Sequence, residues 1–405
     1  MNATQIELFE HVTDAFSQPH DGRLTNREVY RIAAGRAGIS QAELDQPRAF
    51  GKEESMRSEV KHRIRWILNA LKTSGVIQHV ADERGVWELT EAGRSKLRKI
   101  RPEVSCLGYS TDLGIAIWSD SKRVLDHWQE TIFLALTSPP YPLRIPRLYG
   151  GPPAHAHVDF LCRHFEPIVK HLAPGGNIVL NLGDVFEDHS PAKSTYIEEV
   201  TLAFKARFGL HLMNRIIWQS NKPPSPAHWA SVNRMQVNEG YEVCLWFTND
   251  PVNCIADNRR ILEPHTERHK DFVAKGGAKV ARSNGDGAHR QRVGAYSSPT
   301  EGRIPRNIWH IGNRCDSQRA YKARARELGL AVHGATFPLE LARKFILFMT
   351  EVDQLVVDPF FGSNTTGLAA EQEGRPWLAM DIGYDYVRGS AERFRDAPGF
   401  ELALP

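Results

Sequence analysis

Ser138, Pro139, Pro140 and Tyr141 directly follow the apolar run "LALT". Adjacent prolines lack backbone N–H groups and fix φ near about −65°, so neither a helix nor a central strand continues through them. The stretch reads as a buried strand that stops in a stiff corner, with a hydroxyl and an aromatic ring at its mouth. A second set of chemically capable residues lies far downstream, in "VVDPFFGSNTTG" and "PWLAMD". There Asp358, Pro359, Phe360, Gly362, Asn364 and Thr365 occupy a glycine-containing turn between a predicted strand and a predicted helix. Asp381 ends the next strand. An acid about 20 residues past such a turn is placed to accept hydrogen bonds from both hydroxyls of a ribose. Asn364 stands where a G-x-G-x-x-G turn has its second glycine, which disfavours pyrophosphate and with it a nicotinamide dinucleotide. A nucleoside with a charged amino-acid tail fits instead, with Asp358 meeting its ammonium group. The plainer readings are a packed tyrosine in a turn and a polar sheet edge.

Both corners need a scaffold that brings them together. From about residue 105 onward strand and helix signals alternate, which predicts an α/β fold built on a parallel sheet with helices on both faces. Strands are expected in "TIFLALT", "GGNIVLNLGD", "HLMNRIIWQ", "YEVCLWFT", "QLVVD" and "PWLAMD". "VDFLCRHFEPIVKHLAPGG" reads as a helix stopped by its glycines, and "TTGLAAEQEG" as a shorter one.

Residues 1–100 read as a separate module, joined through a linker at "RKIRPEVSCLGYS" to a second domain over 105–405. Val60, Ile64, Ile67, Leu68 and Leu71 recur at helical spacing, with Lys61, Arg63, Arg65 and Lys72 on other faces. "VIQHV" and "VWELT" then predict a hairpin and "EAGRSKLRKI" a closing helix, the layout of a winged helix. Composition shifts again over about 250–330. Residues 257–330 hold 16 Lys and Arg against 8 Asp and Glu. "AKGGAKVARSNGDGAHRQRVGAYSSPTEGR" reads as a mobile basic loop, a nucleic-acid surface that orders on binding rather than a merely solvated insertion.

At 405 residues the chain exceeds one ordinary core. A charged fraction of 24% suits a soluble globular protein. There is no apolar run of about 18 residues and no basic-then-apolar start, so a cytoplasmic location without a membrane partner is expected. Five cysteines without a C-x-x-C pair argue against a disulfide framework and a zinc knuckle. His265 and His269 stand four apart but lack a third ligand, so no metal is expected. Asp120, Asn181 and Asp184 fall near predicted strand ends, where cofactor or catalytic roles compete with turns and caps.

"DPFFGSNTTG" resembles the S-adenosylmethionine-binding motif of DNA amino-methyltransferases, and "TSPPY" resembles their catalytic motif. The catalytic motif comes first here, the permuted order of the family's β group. "APGGNIVLNLGD", "PPSPAHWASVNRMQVNEGYEVCLWFT" and "HGATFPLELARKFI" are similar to further family segments in the expected order. The resemblance covers roughly residues 109–395. The first module resembles the N-terminal domain of Mrr-type restriction proteins through "RIRWILNALKTSGVI" and "RGVWELTEAGR".

The resemblance implies a Rossmann-like methyltransferase sheet, S-adenosylmethionine as cofactor, and double-stranded DNA as substrate in a bacterial or archaeal cell, beside the nucleoid. A cognate restriction endonuclease and a homodimer are partners consistent with it. It places Phe337 and Pro338 along the cofactor. Because the lone pair of an exocyclic base amine is delocalised into the ring, the site must accept hydrogen bonds from its N–H groups. Ser138 Oγ and the Pro139 carbonyl are the acceptors, held by the prolines, and Tyr141 stacks on a base taken out of the duplex. No cysteine follows a proline, so the thiolate chemistry of cytosine C5 methylation is excluded. Serine before the two prolines is typical of the cytosine-N4 enzymes, which makes cytosine N4 the expected target. The alternatives are adenine N6 and a catalytically silent DNA-binding regulator.

Overall fold

The computed structural model describes residues 12, 15, 16, 23–50, 55–73, 77–81, 83–90, 104–142, 152, 154–187, 190–221, 226–283, 285, 290–313 and 315–404. The expected closing helix at 91–100 lies outside them, as do residues 98–103 of the expected linker.

The N-terminal module comprises β1 (Arg23–Thr25), α1 (Asn26–Arg36), α2 (Gln41–Asp45), β2 (Pro47–Phe50), β3 (Ser55–Ser58), α3 (Glu59–Thr73), β4 (Ile77–His79) and β5 (Val86–Leu89). Thr25 and Glu28 close a capping box that starts α1. Helix α3 buries Ile64, Ile67, Leu68 and Leu71, the apolar stripe seen in its spacing. Strands β4 and β5 pair antiparallel as the expected hairpin, and β1 adds a third strand against β5. The β2–β3 hairpin had no recognisable alternation in the sequence. Three of the four basic residues of α3 are tied down: Lys61 pairs with Asp45, Arg63 with Glu59, and Arg65 Nε donates to Tyr30 Oη at 2.8 Å.

The second part comprises β6 (Ser105–Ser110), β7 (Gly114–Ser119), α4 (Ser121–Leu125), β8 (Ile132–Thr137), α5 (Ala154–Lys170), β9 (Leu172–Leu182), α6 (Tyr196–Phe208), β10 (His211–Gln219), β11 (Tyr241–Thr248), α7 (Glu267–Ala274), β12 (Arg282–Ser283), β13 (Arg290–Gln291), β14 (Ile308–His310), α8 (Asp316–Glu327), α9 (Leu339–Met349), β15 (Val356–Asp358), α10 (Thr365–Gln372), β16 (Trp377–Asp381), α11 (Tyr384–Ala391) and β17 (Glu401–Leu402). Ten of its strands form one sheet in the order β14-β10-β11-β9-β8-β15-β16-β7-β6-β17. The five central strands, β9 to β7, run parallel, as alternating strand and helix signals require.

The flanks correct the expectation of a wholly parallel sheet, since β11, β10, β6 and β17 enter antiparallel to a neighbour. A short connection from β6 to β7 leaves no room for a crossover helix, so only a hairpin can form. The strand β6 also occupies residues 105–110 of what read as linker. Adjacent residues of one strand feed opposite layers. Leu134, Leu136 and Val356 pack with α9, α10 and α11, while Ala135 and Val357 pack with α5 and α6.

Helix α5 ends at Lys170, earlier than its glycines suggested. Gly175 instead lies inside β9 at φ 74°, where the pairing with β8 shifts register. A Cβ there would stand 2.1 Å from the Asn253 carbonyl oxygen, so glycine is required. The stretch read as a mobile basic loop, 274–303, is more folded than that: it begins at the last residue of α7 and contains the paired strands β12 and β13, and Ala278 is buried. Arg282, Arg290 and Arg292 are nonetheless exposed.

Candidate active site

Four neighbouring parallel strands, β8, β15, β16 and β7, end at the same edge of the sheet. Ser138 follows β8, Pro359 follows β15, Asp381 closes β16 and Asp120 follows β7. Chain connections diverge there, because β8 leads away to β9 on one side while β15 arrives from the far C-terminal half. Such an edge leaves a crevice. It holds a cavity of about 240 Å³ lined by Ser138, Pro139, Pro140, Tyr141, Pro359, Phe360, Asp120 and Asp381, among others.

The Ser-Pro-Pro-Tyr corner is fastened from behind. Ser138 Oγ lies 3.1 Å from Tyr141 Oη, and Tyr141 Oη donates to Glu242 Oε2 at 3.2 Å. Asn181 Nδ2 donates to the same carboxylate at 2.9 Å. Burial, with the Glu242 carboxylate beside it, pushes the Tyr141 hydroxyl well above its usual range, so it stays protonated. His157 on α5 is fully buried and its Nε2 donates to the Pro140 carbonyl at 2.8 Å. Burial lowers the His157 pKa, and a neutral ring with its proton on Nε2 suits that bond. The Tyr141 ring lies against Gly183, where a Cβ would come within 3.0 Å.

Opposite the corner, Asp381 Oδ2 accepts the Gly362 N–H at 2.9 Å and Oδ1 accepts the Gly383 N–H at 2.7 Å. These two bonds fix the carboxylate at the cavity wall. Phe160, His164 and Phe360 form an aromatic cluster beside it, with ring centroids 4.3 to 5.6 Å apart. Asp120 both caps α4, accepting from Lys122 N, and lines the cavity. His164, with Nε2 3.6 Å from Asp120, holds that carboxyl below its ordinary pKa.

Other residues singled out in the sequence lie elsewhere. Asp358 is 2% exposed and does not line the cavity. Its Oδ1 accepts from Phe360 N at 3.1 Å, and burial raises its pKa to about 6, against the opposing hydroxyls of Thr137 and Thr366. It sits behind the turn that leaves β15. Asn364 adopts the left-handed conformation at φ 50°, and its Oδ1 caps α10 by accepting from Gly367 N. Thr365 Oγ1 accepts from Arg393 at 3.0 Å. Phe337 and Pro338 are buried and do not line the cavity, whereas the nearby His333 and Ala335 do. Asp184 is paired with Lys193, which also meets Glu239 at 3.0 Å.

The His265 and His269 rings lie 4.5 Å apart, tilted by 34°, with His265 Nε2 2.8 Å from Thr300 Oγ1. Among the described residues no group of three or more His, Cys, Asp or Glu side chains is arranged to hold a metal ion. Likewise, no helix among them is long and apolar enough to cross a membrane. Sequence reasoning missed Glu242, His157, Phe160, His164 and His333. Glu242 lies on a strand, His157, Phe160 and His164 on a helix and His333 in the connection between α8 and α9, and none stands in a motif of recognised chemistry.

A family model described as DNA methylase matches residues 132–392, and one described as Mrr N-terminal domain matches residues 7–99. Type II methyltransferase M.PvuII of Proteus hauseri is 32% identical over 293 residues, covering 71% of this chain and 85% of that protein. Type II methyltransferase M.ScaI of Streptomyces caespitosus is 22% identical over 296 residues, 72% of this chain and 85% of the other. The solved structure titled PvuII DNA methyltransferase (cytosine-N4-specific) is 30% identical and covers 70% of this chain and 87% of its own, with a TM-score of 0.56. The permuted motif order, the shared sheet and these matches together identify the chain as a member of the N6/N4 type of DNA methylase family, a DNA amino-methyltransferase with an Mrr N-terminal domain.

Proposed function

We propose that this protein transfers a methyl group from S-adenosylmethionine to N4 of a cytosine that has left the DNA duplex. The observation that carries the reading is that the Ser138–Tyr141 corner and the Asp381 carboxylate face one cavity. A crevice with two carboxylates, an aromatic wall and a volume of about 240 Å³ suits a nucleoside with ribose hydroxyls and a flat base. Asp381 would accept from the ribose hydroxyls, and Phe360 with Phe160 would face the adenine ring. When bound, S-adenosylmethionine supplies an electrophilic methyl group.

The protein's own residues do the rest. Ser138 Oγ and the Pro139 carbonyl accept hydrogen bonds from the base amine and turn its electron density outward. The Pro140 carbonyl is engaged by His157, which holds the corner still. Tyr141 offers its ring face to the base. Positioning two reactants in line supplies much of the rate in such transfers.

The choice of cytosine rests on Ser138 before the prolines and on the likeness to the cytosine-N4-specific structure. The exposed Arg282, Arg290 and Arg292 in the basic region at about 250–330 would contact phosphates, and the winged-helix module at 1–100 would add a second DNA contact to the catalytic part at 105–405. The test is to incubate the protein with duplex DNA and S-adenosylmethionine, digest to nucleosides and identify the product by mass spectrometry. N4-methylcytosine is expected. N6-methyladenine as the sole product would overturn the base assignment, and no methylated base would overturn the activity.

A further inference from the structure

We infer that Glu242 is a positioning residue that sets the direction of the hydrogen bonds at the catalytic corner, so that Ser138 meets the base amine as an acceptor only. The inference rests on the amino-methyltransferase reading above. Glu242 lies in β11, and that strand pairs with β9, which carries Asn181. Glu242 is not on the cavity wall. It reaches the chemistry through Tyr141 and Asn181.

A carboxylate oxygen accepts hydrogen bonds and cannot donate them. The 3.2 Å contact from Tyr141 Oη to Glu242 Oε2 therefore commits the tyrosine's single proton. The other acceptor within reach, the Asn181 carbonyl, is farther away at 3.5 Å. Two lone pairs remain on Tyr141 Oη. One faces Asn181 Nδ2 at 3.3 Å, and the other faces Ser138 Oγ at 3.1 Å. Since the tyrosine has no proton left to give, the Ser138 hydroxyl must be the donor in that last contact.

Ser138 thus points its only proton away from the cavity and leaves its lone pairs for a ligand. That polarity matters because an exocyclic amine, with its lone pair drawn into the ring, can only donate. A serine free to rotate would present O–H to N–H for part of the time and stabilise nothing. Glu242 also orients the Asn181 amide: Nδ2 faces the carboxylate at 2.9 Å and Oδ1 faces Cys244 Sγ at 3.3 Å. One acid therefore fixes every donor in the chain that ends at Ser138.

Glu242→Gln keeps the size of the side chain but offers an N–H group to Tyr141, which lets the chain of donors reverse. It should lower kcat about 10- to 100-fold while leaving KM for DNA and the affinity for S-adenosylmethionine nearly unchanged. Glu242→Asp, which keeps an acceptor, should recover part of that loss. Tyr141→Phe removes the middle of the chain, and because both substitutions break one path, Tyr141→Phe/Glu242→Gln should be no slower than the slower single variant. A readout apart from turnover is the 13C signal of the Tyr141 ring carbon that bears the hydroxyl, assigned by its loss in Tyr141→Phe. It should move in Glu242→Gln while the circular dichroism spectrum stays the same. Full kcat in Glu242→Gln, multiplicative losses in the double variant, or an unmoved 13C signal would overturn the role of Glu242 in an active methyltransferase. A wild-type protein that methylates no DNA would overturn both this inference and the reading beneath it.

Discussion

Asp381 Oδ2 accepts the Gly362 N–H at 2.9 Å, so the acid that ends β16 holds the turn that leaves β15. One carboxylate thereby joins two strand ends and still faces the cavity. Asp381→Ala should weaken S-adenosylmethionine binding by about 1–3 kcal/mol, through removal of the charged acceptor and release of the turn. Calorimetric titration measures this, and an unchanged affinity would place the cofactor elsewhere.

Ser138 is an acceptor that gains importance as charge develops on the base amine. Ser138→Ala should therefore leave cofactor affinity nearly intact and lower kcat by about 10²-fold. Retained turnover would refute the role given to the corner.

Asp358 lends itself to a pH test. Its folded pKa, raised to about 6 by burial, exceeds the ordinary 3.8 of an aspartate. The folded state thus binds this proton more tightly than the unfolded state does. Stability from this group is fully present below about pH 4 and is lost as pH rises through about 6, a difference on the order of 3 kcal/mol. Asp358→Asn is neutral at every pH, so its Tm relative to wild type should rise between pH 4 and pH 7. A constant difference across that range would contradict the assignment.

Gly362 sits at φ 54°, and a Cβ there would stand 2.9 Å from the His333 ring. Gly362→Ala should destabilise the turn by about 1–2 kcal/mol through its left-handed backbone, and by more through the ring contact. It should weaken cofactor binding as well. Adding His333→Ala should relieve the contact while leaving the backbone strain, so Tm should recover in part. Equal Tm for the two variants would show that the ring simply moves aside.

The exposed Arg282, Arg290 and Arg292 give a salt-dependence test. Replacing all three with alanine should lower DNA affinity and flatten the slope of log K against log salt by about 0.9 for each phosphate that is no longer neutralised. An unaltered slope would remove this hairpin from the DNA surface.

The sequence by itself determined the α/β architecture, the motif order and the two corners. Paired prolines, an acid ending a strand and a glycine turn are local features whose backbone consequences act within a few residues. Apolar runs and helical spacing likewise marked β8, β10, β11, β16 and α3 without any knowledge of what they touch. Tertiary structure decided which side chains reach the cavity. Asp358, Asn364, Thr365, Phe337 and Pro338 lie in or beside the expected motifs yet are turned into the core, because a tight turn exposes only some of its side chains. Glu242 and His157 act from a strand and a helix far away in sequence, and nothing local marks them. Hydrogen-bond direction is a property of the assembled group, since each donor is set by the acceptor behind it, and those acceptors come from separate strands.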